Sequence, residues 1–160
     1  MARSPLTRDW VVRRLTQSPN YWLATVDAGG RPHSTPVWGA WRGDALWWGT
    51  SDTSRKGRNL RARPDCVVHT ESGDEVILLE GVAERVGDFH GPALPAEARA
   101  ALDALAAKYL MSAGEMGGEG GGAGLYRLRP RRVRAWLEPL FPQTQTRWEP
   151  WAEPGATAPS

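Results

Sequence analysis

Apolar residues recur along this chain with two periods, and the changes between them outline its elements. In Arg8–Ser18 (RDWVVRRLTQS), Trp10, Val11 and Leu15 fall near one helical face. This predicts a short amphipathic helix, ended by Pro19-Asn20. Tyr21–Val26 (YWLATV) is rich in strand formers, and Asp27-Ala28-Gly29-Gly30 reads as a turn. Pro32–Arg42 then alternates. His33, Thr35, Val37, Gly39 and Trp41 face one way, and Ser34, Pro36, Trp38 and Ala40 the other. Pro36 has no amide donor, so a bulge or an edge is expected near the middle of this strand. Gly43-Asp44 turns the chain into a third strand, Ala45–Thr50, and the three runs predict an antiparallel meander.

A short helix follows, with Asp52 or Thr53 as the expected N-cap and Pro64 as its stop. Cys66–Glu71 is strand-like, Ser72-Gly73-Asp74 a hairpin turn, and Val76–Val86 a returning strand with a bulge expected at Gly81. A further helix is expected near Pro95–Leu110, with Ala98, Leu102, Leu105 and Tyr109 as its apolar stripe. Gly114–Gly124 reads as a flexible loop. Leu125–Leu137 is a last strand region interrupted at Pro130, and Phe141–Trp151 is irregular. Hairpin connections and short strands predict a mainly β, α+β fold: an antiparallel barrel of six strands with two to three appended helices. One domain is expected over residues 1–150, with a disordered tail at 151–160.

Composition narrows the function classes. Only Lys56 and Lys108 are lysines among 20 basic residues, and the net charge is +2. The arginines therefore read as a compositional bias rather than a nucleic-acid footprint, and no nucleic-acid partner is expected. Cys66 is the single cysteine, which excludes an intrachain disulfide and a cysteine-based metal cluster. The first residues lack a signal-peptide apolar core, and no run reaches transmembrane length. A reducing, cytoplasmic location and no membrane partner are expected. The nine tryptophans stand out, with Trp38, Trp41, Trp47 and Trp48 crowded together. Some of them should line a ligand cleft or a subunit interface.

The segment Thr50–Leu60 carries the clearest chemistry. Its helix begins with Arg55, Lys56 and Arg58, and cations there oppose the helix dipole. Two readings compete: a solvated basic turn, or an anion site in which free amides, hydroxyls and basic side chains converge on a phosphate. Other signals are weaker. Gly118–Ala123 matches GxGxxA but follows a helix and precedes a strand, the reverse of the dinucleotide context. His33, His69 and His90 lack metal-ligand spacing, and no serine sits in a nucleophile motif. Asp74-Glu75 and Glu80/Glu84 read as a hairpin turn and a solvated strand face. The basic run Arg127, Arg129, Arg131, Arg132 and Arg134 is either a solvated strand or a groove for an acidic ligand tail.

Tyr21–Trp38 (YWLATVDAGGRPHSTPVW) resembles the opening of the flavin split-barrel superfamily, the pyridoxamine 5′-phosphate oxidase-like proteins. Asp44–Thr50 followed by Ser54–Leu60 is similar to its third strand and phosphate-binding helix, and Val76–Val86 to the strand after it. Thr146-Arg147-Trp148 resembles a C-terminal motif of the branch that binds the deazaflavin coenzyme F420. The resemblance implies a six-stranded split barrel that forms a homodimer, with the cofactor in a groove between subunits. It places ring contacts along Thr35, Pro36, Val37 and Trp38 and at Thr50 and Ser51. It places the phosphate at Ser54, Arg55, Lys56 and Asn59, with Arg58 and the Arg127–Arg134 run near an oligoglutamyl tail. The arginine and histidine substrate motif of true pyridoxamine-phosphate oxidases is missing, so vitamin B6 oxidation is not implied.

The expected function is a reductase that uses coenzyme F420 to pass a hydride to a small conjugated acceptor, with no catalytic side chain required and no metal. FMN in the same fold is the alternative, as an oxidase or flavin reductase. A non-catalytic cofactor carrier is a second alternative, and a nucleic-acid-binding barrel a third.

Overall fold

The structure, a computed structural model, describes residues 5–112, 115 and 122–151. Thr7 caps α1 (Arg8–Gln17), its hydroxyl accepting from the Trp10 amide at 3.2 Å. Val11 and Leu15 of this helix enter the core. Among the described residues nine strands follow: β1 (Tyr21–Val26), β2 (Pro32–Val37), β3 (Ala40–Arg42), β4 (Ala45–Ser51), β5 (Asp65–Thr70), β6 (Glu75–Asp88), β7 (Ala123–Leu128), β8 (Arg132–Leu137) and β9 (Thr146–Trp148). Helices α2 (Arg55–Ala62) and α3 (Ala96–Tyr109) interrupt them. The strands run β2-β1-β5-β6-β7-β4-β3, all antiparallel, with β8 pairing β6 and β9. This is the split barrel.

The strand count exceeds the expected six for identifiable reasons. Pro32–Arg42 breaks at Trp38-Gly39, because β2 pairs β1 while β3 pairs β4. Pro36 lies on an edge strand, where its missing donor costs no ladder bond. Leu125–Leu137 divides at Pro130 in the same way, β7 joining β4 and β6, and β8 joining β6 and β9. The stretch expected to be irregular supplies β9. Long β6 joins the two halves, pairing β8 through Glu75–Glu80 and β7 from Ala83 onward. The bulge expected at Gly81 does not occur: Gly81 pairs Cys66 in register, and the irregularity falls between Arg85 and Gly87. Glycine is needed at Gly81 for another reason, since a Cβ there would lie 2.9 Å from Leu128 and 3.1 Å from the Arg129 carbonyl.

Two apolar centres result. One fills the barrel with Leu23, Leu46, Trp48, Val68, Ile77, Leu79 and Leu128. The other lies under α3, with Trp47, Phe89, Leu102, Leu105 and Leu125. Strand β4 runs between them, so Trp47 and Trp48 point to opposite sides and both are fully buried. Trp151 belongs to the fold and not to the tail. It is 2% exposed, packs edge-on against Trp41 and Trp148, and its amide donates to the Arg131 carbonyl at 3.2 Å. Residues 152–160 lie outside the described residues, as do most of the Gly114–Gly124 loop and positions 118–121 of the GxGxxA match. No described helix is long and apolar enough to cross a membrane.

Candidate functional site

Strand β4 ends at Ser51, and α2 starts four residues later. Ser54, rather than Asp52 or Thr53, is the N-cap. Its Oγ accepts from the Gly57 amide at 3.1 Å and donates to the Ser51 carbonyl at 2.7 Å, with Thr50 Oγ1 3.2 Å away. Asp52 is drawn elsewhere. Arg85 grips its carboxylate at 3.0 and 2.7 Å and also bonds Asp88 at 2.7 Å. The Arg85 guanidinium holds the Asp52 carboxyl below its ordinary range, and the two carboxylates raise Arg85 further. Gly57 then allows the helix to approach β4, since a Cβ there would lie 2.2 Å from the Ser51 carbonyl. The first turn of α2 is thus fastened to the end of β4.

A cavity of about 450 Å³ opens at this junction, within the range of small-molecule sites. Of the residues expected to bind a cofactor, Pro36, Val37, Trp38, Thr50, Ser51 and Lys56 line it. Trp38, Phe89 and Leu105 make part of the lining apolar, while Thr50, Ser51 and Lys56 make part of it polar. Lys56 forms no ion pair among the described residues. The amides of Arg55 and Lys56 have no acceptor within the helix, because they precede its first closed turn.

The remaining expected residues are placed differently. Ser54 lies beside the cavity, and Arg55 is exposed next to it. Thr35 is half-buried on the same side of β2 as Val37. Arg58 is exposed, and its guanidinium turns back to the Thr53 carbonyl. Asn59 is buried, and its side-chain amide donates to Thr25 Oγ1 at 3.0 Å. That bond ties α2 to β1. Gly49, Phe89, Leu105 and Ala123 also line the cavity and were not foreseen. A Cβ on Gly49 would meet the Phe89 ring at 2.3 Å, so the glycine lets that ring lie against β4. A lone glycine between Trp48 and Thr50 was the only local signal.

The Arg127–Arg134 run is not an open anion groove. Arg127 pairs with Glu84 at 2.6 Å and Glu97 at 2.9 Å, and Arg129 with Glu97 at 2.9 Å. Arg131 meets Asp65 at 3.4 Å, Arg132 meets Glu80 at 2.8 Å and Glu149 at 3.0 Å, and Arg134 meets Glu80. Each arginine already has a carboxylate of the chain.

A family model described as pyridoxamine 5′-phosphate oxidase matches residues 8–137. The chain belongs to that family. No curated protein matches the sequence significantly. Among solved structures, it is similar to the conserved hypothetical protein Rv2991 from Mycobacterium tuberculosis, at 24% identity over 86% of this chain and 88% of that one, with a TM-score of 0.70. An F420 reductase matches at 24% identity over 76% and 94%, with a TM-score of 0.58. A heme binding protein from Mycobacterium smegmatis matches at 30% identity over 78% of this chain and 52% of its own, with a TM-score of 0.57. The chain spans about half of that protein. Similarity to a pyridoxamine 5′-phosphate oxidase fold thus embraces proteins with different ligands, and the site must decide between them.

Proposed function

We propose that this protein is an oxidoreductase that holds coenzyme F420 at the β4–α2 junction and passes a hydride to a small conjugated organic acceptor. The observation that carries the reading is Lys56: a cation without an ion pair among the described residues, in the first turn of a helix, lining a cavity together with two hydroxyls and two aromatic rings. The donor set fits a fused ring with a ribityl phosphate. Lys56, the Thr50 and Ser51 hydroxyls and the first-turn amides suit the phosphate. Trp38, Phe89 and Leu105 suit the flat ring and keep water from it. The bound deazaflavin would supply the hydride chemistry, and the protein supplies binding and orientation. The described lining residues hold no imidazole, thiol or thioether to ligate a heme iron.

FMN is the second reading, because its phosphate end fits equally well. Pairing of the Arg127–Arg134 run removes one reason to favour the longer-tailed cofactor. Arg55, Arg58 and Arg61 on α2 provide another, since they form no ion pair among the described residues. We also infer a homodimer. Trp22, Val67 and Leu78 share the sheet face turned away from the barrel interior, and all three are only half-buried.

The test is titration with FMN and with F420 of increasing tail length, followed by tryptophan quenching. F420 should bind more tightly, longer tails more so at low salt, and the reduced complex should turn over a conjugated acceptor. Tighter FMN binding at low salt would promote the flavoprotein reading, and binding of both without turnover would promote a carrier. Light scattering should show a dimer, and a stable monomer that still binds cofactor at micromolar concentration would refute it.

A further inference from the structure

The aromatic wall of the cavity is held by a part of the fold that the cofactor reading does not use. Trp38 occupies the break between β2 and β3 and is 49% exposed. One face of its indole is covered by the Tyr109 ring, with centroids 4.5 Å apart and planes within 7°. Tyr109 is the last residue of α3, far from Trp38 in sequence. Its hydroxyl accepts from the Gly39 amide at 2.9 Å and lies 2.8 Å from the Pro19 carbonyl and 3.0 Å from the Gly39 carbonyl, so its one proton has two acceptors to choose between.

Lys108 completes the arrangement. Its ammonium donates to the Gly39 carbonyl at 2.7 Å and to the Tyr21 hydroxyl at 2.8 Å. It lies 4.7 Å from the Tyr21 ring centroid and 5.3 Å from that of Tyr109, and it has no carboxylate partner among the described residues. Both backbone polar atoms of Gly39, the residue after Trp38, are therefore gripped by the last turn of α3. Gly39 has no room to drift, since a Cβ there would sit 3.0 Å from the Tyr21 ring and 3.2 Å from the Trp47 carbonyl. A half-buried ammonium held only by neutral groups is an expensive way to dock a helix. The placement makes sense if it fixes something beside it, and what lies beside it is the cavity wall.

We propose that Tyr109 and Lys108 are positioning residues, which hold Trp38 as the platform on which a flat fused heteroaromatic ring stacks. This rests on the reading of the cavity as the cofactor site. It assigns ring affinity to α3, separately from phosphate affinity at α2.

A double-mutant cycle with lumiflavin, which has the ring but no phosphate, tests it. Tyr109→Phe keeps the stacked ring and deletes the hydroxyl. It should weaken lumiflavin binding by about threefold or more, and by the same factor for FMN. In a Trp38→Ala background the same change should have almost no effect, because the platform is already gone. Lys108→Met is carried through the same cycle, so that a folding defect in one variant, read from its thermal melt, leaves the other to decide. Equal losses in both backgrounds, or no loss in either, would overturn the inference while leaving the cofactor reading intact. Failure of the unmodified protein to bind lumiflavin, FMN or F420 would overturn both.

Discussion

Replacing Lys56 by alanine should move stability and binding in opposite directions. Lys56 sits in the first turn of α2, where the helix dipole disfavours a cation by about 0.3–1 kcal/mol. With no carboxylate paired to it among the described residues, its removal leaves no partner anion stranded there. The ligand-free variant should therefore be as stable as the parent, or more stable by some tenths of a kcal/mol. A charge-assisted contact to phosphate is worth about 1.5–3 kcal/mol. Lys56 is only half-buried, which points to the lower part of that range and a rise in Kd of about tenfold. The assay is a titration of FMN and F420 at fixed low salt, paired with a thermal melt without ligand. Lumiflavin is the control, because it has no phosphate to lose. An unchanged FMN affinity, or an equal loss for lumiflavin, would refute the phosphate assignment.

Gly57→Ala should reverse the usual sign of a glycine-to-alanine change in a helix, which is a gain of about 0.5–1 kcal/mol. The new Cβ would meet the Ser51 carbonyl at 2.2 Å, so the melt should show a loss of about 1–3 kcal/mol together with weaker phosphate binding. Burial lowers Lys108 from 10.5 to about 8, so between those values the folded chain has lost a proton that the unfolded chain keeps, and stability attributable to Lys108 rises with pH. The stability of the parent relative to Lys108→Met should therefore improve from pH 7.5 to 9.5, by on the order of 1 kcal/mol after solvent screening, and a flat difference would refute it. At still higher pH the difference should level off, while the parent's own stability falls, because burial raises the Tyr21 phenol and the unfolded chain gives up that proton first. Arg85→Met should weaken phosphate binding by roughly threefold or more at low salt, although Arg85 does not line the cavity. Freed from Arg85, Asp52 becomes an internal competitor for the α2 cations, and an unchanged Kd would refute that role.

Elements set by local pattern were readable from the sequence. Turn residues at Asp27–Gly30 and Gly43-Asp44 located the strands around them, and the apolar periods of α1 and α3 located those helices to within about a residue. What escaped depended on distant partners. Nothing local says that Pro32–Arg42 must leave β1 for β4, because the partner strand is chosen by the fold. Asp52 and Ser54 are both good caps by type, and the choice between them was made by Arg85 on β6. Asn59 reads as a polar residue on a basic helix, yet Thr25 on β1 takes it into the interior. The cavity was half visible. Hydroxyls and cations announce themselves by residue type, while Phe89 and Leu105 look like ordinary core residues and become lining only because Gly49 and the end of β4 leave space beside them.

Charge placement shows why the site forms where it does. Strand arginines are neutralised by geometry, since antiparallel register sets Glu84 opposite Arg127 and Glu80 opposite Arg132. The helix α2, RKGRNLRA, contains no acidic residue and so cannot pair its cations within itself. The carboxylate nearest in sequence is Asp52, two residues before the Ser54 N-cap, and Arg85 holds it at 2.7 Å. Positive potential is consequently left uncompensated along α2, beside the Thr50 and Ser51 hydroxyls and the first-turn amides at the cavity. Low-dielectric walls focus such a potential on whatever anion enters. The Arg85–Asp52 pair thus does two things at once. It fixes the turn that aims α2 at the cavity, and it keeps the chain's own carboxylate from filling the position that a phosphate would take.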